Sequence, residues 1–297
     1  MSDRDSIVSF SASALAAGRA LGNVIVPHPD FERCAAYVLN AIQLAGTSVF
    51  SGARVSAASG GGKTLLIRYI ERLVEARFGA VGCTPIITGS LKERPTIGQI
   101  QSDLLQAMNY TVASGGNRSI RTNNEVNRVL VRTISDYNVK LLAIDEFQHV
   151  FHVDGRKSHT DVIDWLKRLM NLTGVAVLLV GTEQMDMLGG VDPQLTTRIP
   201  TVLRLSPFKY DQRWRGFLQA FVSDCVEVDL SPIVGEFARP LFLASGGSPR
   251  VLKALLVQAV ILAVHEEAEV ISREILGRSY DFRFGADATG RNPFAVS

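Results

Sequence analysis

The stretch Ala57-Ala58-Ser59-Gly60-Gly61-Gly62-Lys63-Thr64 constrains this chain more than any other. A short extended run, Ala53–Ser56, precedes it. Apolar residues at helical spacing follow: Leu65, Leu66, Ile67, Tyr69, Ile70 and Leu73. Strand, glycine turn and helix form the setting in which successive backbone N–H groups face an anion. The helix adds its unpaired N–H groups and the positive end of its dipole. Gly60, Gly61 and Gly62 let the backbone approach a phosphate with no Cβ in the way. On this reading Ser59, Gly60, Gly61, Gly62, Lys63, Thr64 and Leu65 cradle a nucleoside triphosphate. Lys63 reaches the β/γ-phosphates, and the Thr64 hydroxyl ligates Mg²⁺. The pattern asks for glycine where Ala57 stands. A bare flexible turn is one competitor. A serine-nucleophile elbow is another, but the strict G-x-S-x-G is absent and Lys-Thr would go unexplained.

The second signal is Leu141-Leu142-Ala143-Ile144-Asp145-Glu146. Four apolar residues ending in two acids predict a buried parallel strand whose C-terminal end meets the nucleotide. Asp145 is expected to hold Mg²⁺ and Glu146 to polarise the attacking water. The competing reading is a core strand ending in a solvated acidic turn.

Strands are also expected at Thr84–Thr88, Val175–Thr182 and Thr201–Leu205. Helices fall between them: one capped by Asp30, one through Ile97–Met108, one from about Asn124 to Ser135 and one around Trp165–Met170. Such alternation predicts an α/β fold, a parallel five-stranded sheet covered on both faces. Ligands bind such sheets at the strands' C-terminal ends, where Thr64, Asp145 and Thr182 fall. From Lys209 onward the pattern is helical only, with Ser248 as N-cap and Pro249 at the first position of one helix. Arg250 then sits in a first turn that disfavours a cation, which suggests an anionic partner. The expected division is a flexible arm over 1–23, a nucleotide-binding core over 24–207, a small helical lid over 208–275 and a tail over 276–297.

At 297 residues, 46% hydrophobic and 20% charged, the chain can bury a substantial core. A net charge of +2 does not announce nucleic acid, so any such surface must be a local patch. Cys34, Cys83 and Cys225 match no zinc spacing and suit a reducing compartment. Nor do His149, His152 and His159 with Asp154 and Asp161. Trp165 and Trp214 fall at core spacing. Met-Ser-Asp-Arg-Asp does not open a signal peptide, and the run Val251–Val264 is interrupted by Lys253 and Gln258. A cytoplasmic protein with no membrane span is expected.

Taken together, these motifs resemble the AAA+ ATPases, and more narrowly the TniB/TnsC family of transposition ATPases, over roughly residues 24–275. The matching pieces are Gly60–Thr64, Leu142–His149, Leu179–Glu183, Gln194–Pro200, Gly246–Arg250 and the closing Asn292-Pro293-Phe294. The resemblance implies ATP and Mg²⁺ as ligands, Thr182 as the first sensor and Arg198 as an arginine finger entering a neighbouring subunit's site. It implies Arg250 as a second sensor on the lid. It further implies ATP-dependent rings or filaments on duplex DNA, bound without regard to sequence, that pass a target to a DDE transposase, often with a TniQ-like partner. In DNA-coating relatives, segments comparable to those bearing Lys92, Arg94, Arg118 and Arg121 face the DNA. Arg156 and Lys157 stand on another expected loop.

Lys and Arg at phosphates give affinity without sequence information. The family pattern has Asn where Thr182 stands. Bland alternatives are a local Arg250–Glu236 pair, a solvated Arg198 and ordinary surface charge for the six basic residues. Two other functions compete: a helicase-loader or initiator-like AAA+ ATPase, and a DNA-independent nucleotide-switch scaffold.

Overall fold

In the computed structural model, which describes residues 9–45, 47, 52–108, 123–152, 156–285 and 292–295, two compact units divide the chain. One comprises Pro29–Leu205 and the other Met1–His28 with Ser206–Ser297. In chain order the first unit runs through helix α2 (Pro29–Leu44), after α1 (Ala12–Asn23) of the second unit, then β1 (Gly52–Ala57), α3 (Lys63–Phe78) and β2 (Ile86–Ser90). It continues with α4 (Ile97–Ala107), α5 (Asn123–Asp136), β3 (Leu141–Asp145), α6 (Arg156–Thr173) and β4 (Ala176–Gly181). Two short helices, α7 (Leu188–Val191) and α8 (Pro193–Arg198), lead into β5 (Thr201–Leu205).

The five strands pair in parallel in the order β2-β3-β4-β1-β5. Every residue of β3 and β4 is buried, as both faces of a central parallel strand must be. One apolar cluster, including Ile87, Leu104, Leu142, Ile144, Leu166 and Leu179, fills the space between sheet and helices. Helix α4 starts where Thr96 and Gln99 form a reciprocal capping box. The consequence for function is positional. β3, β4 and β1 are consecutive in the sheet, so three turns distant in sequence leave it side by side.

The second unit is helical: α1, then α9 (Gln212–Asp224), α10 (Ala238–Ser245), α11 (Pro249–His265) and α12 (Arg273–Phe284). Trp214, Phe217, Leu218 and Phe221 share the buried face of α9. The Trp214 indole N–H donates to the Ala238 carbonyl at 2.9 Å. Two sequence expectations are corrected here. Residues 12–23 are a helix, not a loose arm: Ser11 caps it, and Ala14, Ala17, Gly18 and Leu21 form a buried stripe. Their smallness serves close packing on α11, where a Cβ on Gly18 would lie 2.4 Å from Ile261 Cγ1. The second correction concerns 276–297, where α12 runs on to Phe284. Phe294 is itself buried among the helices, and the Asn292 side chain donates to the Gly277 carbonyl at 3.0 Å and Asp281 Oδ1 at 2.9 Å.

Candidate active site

The glycine turn leaves β1 at Ala57 and enters α3 at Lys63. Gly60 and Gly62 have φ of 78° and 91°, the left-handed region in which only glycine is unstrained. A Cβ on Gly61 would lie 3.0 Å from Ala57 Cβ and 3.0 Å from Ala58 O. Ala57 itself is ordinary strand backbone, so its side chain imposes no strain and the departure from the glycine pattern is structurally silent. The Lys63 side chain folds back over the turn, with Nζ donating to Ala57 O at 3.2 Å and Ala58 O at 3.5 Å. Lys63 is buried, only 8% exposed. A lysine ammonium has three donors and no acceptor, so it holds the turn closed and retains a donor for an anion.

Asp145 ends β3, and Thr64, in the first turn of α3, stands beside its carboxylate. The Glu146 N–H donates to Asp145 Oδ1 at 2.8 Å. Burial raises the Asp145 pKa from its ordinary value, against the pull of the Glu146 N–H, Lys63 and Thr64; the Glu146 charge adds to the rise. A buried carboxylate beside a hydroxyl is an oxygen donor set suited to Mg²⁺, and the turn is a cradle a Cβ would fill. The residues therefore fit a magnesium-bound triphosphate.

Glu146 follows with φ of 54°, which turns its side chain out of the strand's alternation. Its carboxylate accepts from Gln148 Nε2, while Gln148 Oε1 accepts the Thr182 N–H at 3.0 Å. Thr182 stands just beyond β4, and its Oγ1 is buried without a hydrogen-bond partner among the described residues. Gln148 had no assigned role in the sequence. The available signal was an amide side chain two residues beyond Asp-Glu, next to the buried Phe147.

The structure thus brings together Lys63, Thr64, Asp145, Glu146 and Thr182. It does not bring Arg198 to them. Arg198 ends α8, and the next residue, Ile199, packs at the opposite end of β1, where a Cβ on Gly52 would lie 3.2 Å from Ile199 Cγ2. A six-residue strand, roughly 20 Å at about 3.3 Å per residue, separates that end from the glycine turn. Arg250 lies in the first turn of α11, in the other unit, and is exposed. Its suggested partner Glu236 is paired instead with Arg273 at 2.6 Å.

Lys92 and Arg94 are exposed in the loop after β2, which the Leu91 N–H pins to the Asp145 carbonyl at 3.0 Å. Arg118 and Arg121 lie outside the described residues. Arg156 and Lys157 open α6 rather than standing on a loop, because the helix begins well before its apolar face.

A parallel sheet in this strand order, with its glycine turn and acidic strand end, defines a P-loop NTPase of the AAA+ class. Within that class the chain belongs to the TniB family: the model of the bacterial TniB protein matches residues 24–210. No curated protein matches the sequence.

Among solved structures it is similar to Aeropyrum pernix ORC2 in its ADPNP–ADP complexes, with TM-score 0.68 and 18% identity over 94% of this chain and 74% of that one. It is also similar to A. pernix ORC1 in complex with DNA, with TM-score 0.66 and 19% identity over 90% and 69%. For Cdc6p from Pyrobaculum aerophilum the TM-score is 0.64, at 16% identity over 91% and 71%. At these identities the likeness is one of fold. No helix among the described residues is long and apolar enough to cross a membrane.

Proposed function

We propose that this chain is a slow ATPase that regulates DNA transposition: it assembles on duplex DNA with ATP and offers that DNA to a DDE transposase, with a TniQ-like partner. The observation that carries the nucleotide half is the buried Lys63 ammonium folded over the glycine turn, with the buried Asp145 carboxylate at the end of the strand beside it. Lys63, the turn's N–H groups and Thr64 hold the triphosphate, and Glu146 takes the proton of the attacking water. Mg²⁺, held by Thr64 and Asp145, neutralises charge on the phosphates. Thr182 reads the terminal phosphate through its unpartnered hydroxyl. Arg198, a strand's length from its own chain's turn, serves a neighbour's nucleotide, and Arg250 serves as second sensor.

Family membership supports the transposition half. Lys92, Arg94, Arg118, Arg121, Arg156 and Lys157 supply the DNA contacts. The ORC-like fold favours a second reading, a loader-type ATPase. The two part on whether a marked element inserts less often when the chain is withheld.

The direct test is duplex-DNA filter binding with ATP, ADP and no nucleotide. Tighter retention with ATP, weakened steeply by salt, is expected. Equal retention in all three arms removes the DNA half of the proposal.

A further inference from the structure

We infer that Gln148 is a positioning residue for hydrolysis, a rigid amide link that sets the Glu146 carboxylate from the position of Thr182. The inference rests on the nucleotide reading above and deepens it.

Both ends of the Gln148 amide are committed. A carboxylate can only accept and a backbone N–H can only donate, so Nε2 must face Glu146 and Oε1 must face Thr182. The side chain is 5% exposed and has no solvent to turn into. Gly181 makes the room: a Cβ there would lie 2.7 Å from Gln148 Oε1 and 2.7 Å from Met185 Cγ. The strand that must pass this amide therefore carries hydrogen where any other residue would carry carbon.

The link joins two roles that sit 36 positions apart in sequence but one strand apart in the sheet. Glu146 stands on a left-handed backbone position after its strand has ended, and its carboxylate is met by the Gln148 amide. Thr182 alone presents a buried hydroxyl without a hydrogen-bond partner among the described residues. Gln148 ties the base to the same residue's N–H, so a change of the Thr182 position moves the carboxylate with it. Such a residue acts on the chemical step through another side chain, so its loss is read in kcat and not in nucleotide affinity.

Two variants test this. Gln148→Met keeps length and volume and deletes both bonds. Gln148→Glu keeps the acceptor for Thr182 and sets a carboxylate against Glu146. Each is expected to lower kcat about 10-fold or more with ATP Kd within about 2-fold of the parent. In a Glu146→Gln background, Gln148→Met is expected to cost nothing further, as coupled residues do. Parental kcat in either variant overturns the link. So does an ATP affinity that falls in step with kcat, or a full additional loss in the Glu146→Gln background. Lys63→Ala run alongside separates the two levels. If it hydrolyses ATP at the parental rate, the nucleotide reading fails and takes the link with it. If it is inactive while Gln148→Met is parental, only the link fails.

Discussion

Single residues decide the chemistry of the turn. Gly61 has no room for a methyl because Ala57 already occupies that space. Gly61→Ala should therefore weaken ATP binding by about 10-fold or more, through displaced backbone, whereas Ala57→Gly should leave it within about 2-fold. Isothermal titration of the two variants checks both. Lys63→Ala removes the ammonium that spans the turn's own carbonyls and that the proposed function places on the phosphates. Its ATP affinity should fall about 100-fold, read by fluorescent-nucleotide displacement, with parental affinity refuting the turn's assignment. The turn itself was legible from spacing alone, since the motif is local. What spacing could not show is that Ala57 is harmless, because that depends on a backbone angle.

At the scale of the element, α8 is held by a buried Lys167–Asp192 ion pair that the exposed Asp164 joins. Lys167 of α6 meets Asp192, the N-cap of α8, at 2.8 Å and Asp164 at 2.7 Å. Burial alone would lower the Lys167 pKa, but the two carboxylates outweigh it and raise it. Burial would likewise raise Asp192, but the lysine and the Leu195 and Gln194 N–H groups bring it below its ordinary 3.8. Its contribution to stability is thus complete above about pH 4 and lost as pH falls through the lower folded value. Lys167→Met leaves a buried carboxylate unpaired and should cost about 3 kcal/mol in urea unfolding at pH 7, with less cost near pH 3. An equal cost at both pH values would show that packing, not charge, holds α8. Neither partner stood out in the sequence, since Lys167 and Asp192 are 25 positions apart and match no motif.

Across the whole molecule, the distance between Arg198 and its own chain's glycine turn is what the proposed function turns into a prediction: if Arg198 serves a neighbour's nucleotide, activity is a property of the assembly. Arg198→Ala chains mixed with Glu146→Gln chains should hydrolyse ATP faster than either alone, because one supplies the arginine and the other an intact base. An arginine finger supplied in trans raises turnover by about 10³–10⁵ in known cases, so the recovery should be far outside error. No recovery at any mixing ratio removes the shared site.

The sequence by itself determined the αβα class, the glycine turn, the strand ending in Asp145-Glu146 and the helical character after Lys209. Each is written in local periodicity or in contiguous residues. It misjudged residues 12–23, where small side chains signify close helix packing as readily as disorder. Only the tertiary structure decided that the ends of β1, β3 and β4 lie side by side, that Gln148 spans the gap between Glu146 and Thr182, and that Arg198 sits at the far end of the sheet. Strand order is set by which apolar faces pack together at long range, and no local pattern encodes it.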